Sequence, residues 1–144
     1  MKRQIFYFLL IFFLFNIIAC KKETGHLCIK VIDGDTIETE EIIIRFIGID
    51  APEKNQKYYQ EATDFLKNLV LNKKIDLEIC PVRPRDAYNR TRCIVYLKDT
   101  NINIQMLRYG YAKISNIQPC HFDISEWQKY EDLAKKNKIG IWKE

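Results

Sequence analysis

Hydrophobic and polar positions alternate over short stretches of this chain and fall into a helical period over three others. Ile75, Leu77 and Ile79 are separated by Asp76 and Glu78, the two-residue period of a half-buried strand. Cys28–Ile32 and Thr36–Glu38 are two strand-like stretches joined at Asp33-Gly34, a hairpin signal. Ile42–Ile49 is a third, an apolar run interrupted by Arg45, and Arg92–Leu97 makes a fifth. Tyr58–Leu71 puts Tyr58, Ala62, Phe65, Leu66, Leu69 and Val70 on one helical face, with Lys73 and Lys74 where cations suit the C-terminal dipole. Asn103–Tyr109 predicts a short helix stopped by Gly110. Ser125–Lys136 predicts a last helix, opened by the capping box Ser125-x-x-Gln128 and packed through Trp127, Tyr130, Leu133 and Ala134. Pro52 marks a loop over Asp50–Gln56, and two prolines mark another over Pro81–Asn89.

The order is three strands, a helix, two strands and two helices. Five short strands with a helix between the third and fourth suit an α+β, mainly β, domain: a five-stranded OB barrel with three helices. There is no internal repeat and no low-complexity tract.

The start of the chain follows a different pattern. Lys2 and Arg3 precede an apolar run, Ile5–Ala19, broken only by Asn16. At about fifteen residues it is short against the ~20 that a spanning helix needs. Ile17-Ile18-Ala19-Cys20 has the form of a lipobox and resembles bacterial lipoprotein signals. Residues 1–19 are therefore expected to be a lipoprotein signal peptide, 20–26 a polar tether and 27–144 the folded domain. An uncleaved membrane anchor is the alternative. The expectation is an exported cell-envelope protein held to the membrane through lipidated Cys20, or a secreted one if Cys20 is not lipidated.

Losing Lys2 and Arg3 with that leader lowers the formal charge from +4 to +2. So small a surplus does not argue for nucleic-acid binding, and the case rests on where particular arginines sit. With Cys20 assigned to lipid, Cys28, Cys80, Cys93 and Cys120 remain. Export permits disulfides, and four cysteines allow three connectivities. No Cys-x-x-Cys occurs, and the two histidines are far apart, so zinc is not indicated.

The candidate chemistry lies in four segments: Asp33-Gly34-Asp35-Thr36, Arg45, Asp50-Ala51-Pro52-Glu53 and Asp86-Ala87-Tyr88-Asn89-Arg90. Two carboxylates can hold a hard cation, a third can act as general base, and two arginines can clamp a phosphate. Each has a plainer reading alone. Asp35 is a turn carboxylate, Arg45 a strand arginine paired with a structural acid, Glu53 an exposed loop acid. Arg90 then belongs to a basic cluster with Arg83, Arg85 and Arg92.

In identity, order and approximate spacing the four segments resemble the staphylococcal nuclease (thermonuclease) family, over about Cys28 to Trp142. That family has the same barrel fold. The resemblance implies Asp35 and Asp50 as Ca2+ ligands, with the backbone carbonyl of Ala51 as a third. It implies Arg45 and Arg90 as phosphate clamps, Glu53 as the group that positions or deprotonates water, and Tyr88 as a nucleotide contact. It also brings the regions of Cys80 and Cys120 together as a disulfide candidate, leaving Cys28 and Cys93 as buried thiols. The activity implied is calcium-dependent hydrolysis of DNA and/or RNA to 3′-phosphate products by a monomer. The alternative is a non-catalytic OB module that binds nucleic acid or protein at the envelope. The chain departs from the family at Ala87, where its best-known member has lysine, and over Ile114–Gln118, which lacks the stacking tyrosines. The second hairpin is short and acidic, with Glu38, Glu40 and Glu41. Stacking is worth ~1–3 kcal/mol per base, so these departures bear on substrate affinity.

Overall fold

The computed structural model describes residues 22–143. The signal segment 1–19 and Cys20 lie outside the described residues. Five strands close a mixed barrel: β1 (Lys22–Asp33), β2 (Thr36–Thr39), β3 (Ile43–Phe46), β5 (Lys74–Ile79) and β6 (Thr91–Leu97). Neighbours are antiparallel except β3 and β6, whose parallel pairing of Ile44 with Thr91 and Phe46 with Cys93 shuts the barrel. The first half of β1 pairs with β5 and the second half with β2, so one bent strand serves two sides. Its bend falls at register shifts, one of them between Glu23 and His26, around Gly25.

This corrects the expected tether. Residues 22–26 are ladder, with Lys22 opposite Glu78 and Glu23 opposite Leu77, because β5 offers them an edge that composition does not reveal. The hairpin turn is also one residue later than expected: Asp33 pairs with Thr36, leaving Gly34-Asp35 as the turn.

The apolar run Ile42–Ile49 splits into β3 and a two-residue strand, β4 (Ile49–Asp50). Gly48 makes the break with φ 76°, and a Cβ there would meet the Trp127 ring at 2.8 Å. β4 pairs with β8 (Lys113–Ile114), and β7 (Thr100–Asn101) extends the free edge of β6. Three helices cover the barrel: α1 (Tyr59–Val70), α2 (Ile102–Arg108) and α3 (Gln128–Lys136), the last preceded by a 3-10 turn at Ser125–Trp127.

The core joins Ile37, Ile44, Phe46, Leu77 and Val95 of the barrel to Leu66 of α1 and Met106 of α2, all 1% exposed or less. Asn103 is a polar residue within this core. It is fully buried, takes the Val95 N–H (3.0 Å) and donates to the Ile47 carbonyl (2.8 Å), tying α2 to β6 and to the β3–β4 break. Cys80 and Cys120 form a disulfide with Cα atoms 5.3 Å apart, and Cys28 and Cys93 are buried thiols outside that bridge.

Two details of the last helix differ from the sequence reading. Ser125 makes no side-chain cap; instead its N–H donates to Asp123, and Gln128 donates forward to Glu131 and Asp132. The inward face carries Trp127, Glu131 and Ala134, while Leu133 is exposed. Glu131 is drawn in because its carboxylate finds the Ile114 N–H (2.8 Å), the Gln128 amide and the Lys135 ammonium (2.6 Å).

Candidate active site

Asp35 is the second turn residue of the β1–β2 hairpin. Gly34 lets that turn press against the end of β4: a Cβ on it would lie 2.6 Å from the Ala51 Cβ. Asp35 is thereby 4% exposed, and its Oδ2 accepts the Ala51 N–H at 2.8 Å and Arg45 Nη2 at 3.0 Å. Its Oδ1 accepts the Thr36 hydroxyl at 3.2 Å. Burial pushes the Asp35 carboxyl up to about 7, against the pull of the Arg45 charge and the Ala51 N–H.

Arg45 reaches the same point from β3. Nη1 donates to the carbonyls of Phe46 (2.6 Å) and Ile49 (3.0 Å), which the β3–β4 break turns toward it. Nη2 lies between Asp35 and Asp50, 3.4 Å from Asp50 Oδ1. Asp50 also faces Lys113, paired with it across β4–β8, at 3.4 Å. The structure thus brings Asp35, Arg45, Asp50 and Ala51 into direct contact.

Arg90 joins them through Thr36, whose hydroxyl oxygen lies 3.5 Å from Arg90 Nη1. Asp86 sets Arg90 in place. Its Oδ2 takes Arg90 Nε at 2.7 Å, and its Oδ1 takes the N–H groups of Tyr88 and Arg90, both at 2.9 Å. Tyr88 is 81% exposed, with the guanidinium carbon of Arg90 5.4 Å from its ring centre. Glu53 is exposed on the wall of a cleft of about 260 Å³ that Asp50, Ala51, Lys57, Tyr58 and Lys113 also line. Its N–H is fixed by the Gln56 side chain at 2.8 Å.

Sequence reasoning gave no role to Thr36, Asp86 or Lys113. Asp86 lies four residues before Arg90 in a quoted segment, a usable pairing signal. Lys113 has none, because its place depends on pairing between two strands of two residues each.

The family model described as "Staphylococcal nuclease homologue" matches residues 43–144. The chain belongs to that family. It is 32% identical to a Haemophilus influenzae protein named "Uncharacterized endonuclease", over 93% of this chain and 74% of that one. An Escherichia coli protein of the same printed name is 33% identical, over 94% of this chain and 88% of its own length. A Staphylococcus hyicus "Thermonuclease" is 32% identical, over 83% and 76%.

For a staphylococcal nuclease homologue the metal question is whether these residues suit a cation. Among the described residues no three His, Cys, Asp or Glu side chains cluster as metal ligands. Asp35 and Asp50 are the two carboxylates brought together, and oxygen donors of this kind suit a hard cation with most of its shell left to water and substrate. The two carboxylates already share one positive group, Arg45 Nη2. The donor set therefore fits a hard divalent ion held weakly.

Proposed function

We propose that this protein is a calcium-dependent nuclease that hydrolyses phosphodiester bonds of DNA and/or RNA, leaving 3′-phosphate products. One observation carries the reading. Two carboxylates and two guanidiniums from the β1–β2 turn, β3, β4 and the loop before β6 meet through Thr36, with a further carboxylate, Glu53, in the adjoining cleft. Family membership and the relatives' printed names support the reaction class.

Asp35, Asp50 and the Ala51 carbonyl would hold calcium, which supplies charge stabilisation at a phosphoryl oxygen when bound. Arg45 and Arg90 hold the phosphate and meet the negative charge that grows on it. Glu53 takes a proton from water as the oxygen of that water attacks phosphorus in line. The new bond is P–O from water; the bond to the 5′-oxygen breaks, and that oxygen leaves with a proton from solvent. Tyr88, exposed beside Arg90, packs against the nucleoside on its side of the phosphate. Cleavage at phosphorus does not use the 2′-hydroxyl, so either sugar is accepted.

We place the protein at the cell envelope, anchored through Cys20 after removal of residues 1–19, and acting as a monomer. Mass spectrometry of the mature N-terminus tests the anchor, and an unmodified Cys20 refutes it. The activity is tested on plasmid DNA and total RNA with calcium or with a chelator. Cleavage only with calcium, with 3′-phosphate ends, is expected. Binding without turnover in calcium would favour the non-catalytic module.

A further inference from the structure

The site is electrically lopsided along one line of contacts. That line runs from Tyr88 to Arg90, then Thr36, Asp35, Arg45, Asp50 and Lys113, each within contact of the next. Beyond Tyr88 the surface falls into a depression edged by Glu38, Glu40 and Glu41, with Arg85. Beyond Asp50 it opens instead into the cleft that carries Glu53, and that cleft is lined by Lys57, Lys113 and Lys143.

The three lysines come from three separate segments. Lys57 lies in the loop before α1, Lys113 in β8 and Lys143 after the last turn, a 3-10 turn at Gly140–Trp142. The fold holds these segments together. β8 is paired to β4, and the last turn is tied back by the Ile141 N–H on the Gly110 carbonyl at 2.7 Å. Tyr58 and Ile141 add apolar surface to the cleft, and the Lys57 ammonium lies 5.0 Å from the Tyr58 ring centre.

We propose that this three-lysine cleft is a strand-binding subsite. It takes the phosphates of single-stranded nucleic acid beyond the scissile phosphate, on the side away from Tyr88. The inference rests on the nuclease reading above and adds where the rest of the strand lies. A polyanion is repelled along the acidic edge past Tyr88 and attracted along the lysine side. Lysines are mobile point charges, which suit backbone phosphates of any sequence.

The test is binding without turnover. Fluorescence anisotropy in a chelator, over a range of salt concentrations, measures affinity for labelled oligothymidylates of two and twelve nucleotides. Wild type is compared with Lys57→Gln/Lys143→Gln and with a control of equal charge, Lys67→Gln/Lys136→Gln, from the outer faces of α1 and α3. Thermal melts of each confirm folding. For the twelve-mer, the cleft variant should lose affinity on the order of tenfold, and the slope of log K against log salt should be shallower by about 1.4, two single-strand contacts. Binding of the two-mer should barely move, and the control should keep the wild-type slope. Equal losses in cleft and control variants, or equal losses for both lengths, would overturn the subsite. A wild type that shows the lysine-dependent slope but never cuts in calcium would sink the nuclease reading and leave the subsite standing.

Discussion

Arg45 has two structural tasks, and a substitution removes both. Its Nη1 closes the β3–β4 break by holding two carbonyls, and its Nη2 compensates a carboxylate that is almost fully buried. Arg45→Ala should therefore lose stability as well as turnover. Stranding a buried carboxylate costs about 3–5 kcal/mol, and removing an oriented charge from a phosphoryl site costs on the order of 10²–10³ in turnover. Arg90→Ala should cut turnover by a similar factor with a smaller drop in melting temperature, since its partner Asp86 keeps two backbone N–H groups. Thermal melts beside kinetics of the two variants check this, and equal stability losses would contradict it. The identities of both arginines were legible in the sequence. Pairing of Arg45 with an acid was one of its sequence readings, but its hold on two carbonyls was not legible, because they face it only once Gly48 has turned the chain.

Among elements, the loop from Asp86 to Arg90 depends on one carboxylate. Burial raises the Asp86 pKa, but the Arg90 N–H and guanidinium and the Tyr88 N–H outweigh it and hold it below the usual carboxylate range. A depressed folded-state pKa gives stability that is present above the unfolded value and lost as pH falls through the folded one. The stability difference between wild type and Asp86→Asn should therefore be full near neutrality and shrink toward zero in acid. Denaturant titrations from pH 7 downward measure it; a difference that persists unchanged in acid would refute the assignment. The α3 side of the site rests on Glu131. Glu131→Ala strands the Ile114 N–H at a cost of about 1–3 kcal/mol, whereas Glu131→Gln keeps an acceptor. Hydrogen exchange at Ile114 should speed up in the alanine variant and much less in the glutamine one. Periodicity showed the long elements, β5 and α1 above all. It missed β4, β7 and β8, which have two residues each and exist only through their partners. It turned α3 toward Leu133 because no local pattern marks Glu131 as a buried, fully bonded acid.

At the scale of the molecule, the Cys80–Cys120 bridge ties the end of β5 to the segment before α3 across 40 residues of sequence. Closing a loop of that length removes unfolded-state freedom worth ~3–4 kcal/mol. Cys80→Ala/Cys120→Ala should lower the melting temperature accordingly while the site residues stay in place, and an unchanged melt would show that the bridge contributes nothing. The barrel was legible because five short strands, with a helix between the third and fourth, can be read along the chain. The convergence of its site was legible only through the family resemblance, since it depends on the Gly34 turn pressing on Ala51. The central claim is that Asp35 and Asp50 hold the metal while Glu53 works on water. Calorimetric calcium titration paired with nuclease kinetics on Glu53→Gln and Asp35→Ala tests it most directly. Glu53→Gln should lose turnover by about 10²–10³. It should keep calcium affinity within about tenfold, near 1.4 kcal/mol. Asp35→Ala should lose calcium binding and activity together. Full activity in both variants would contradict the account.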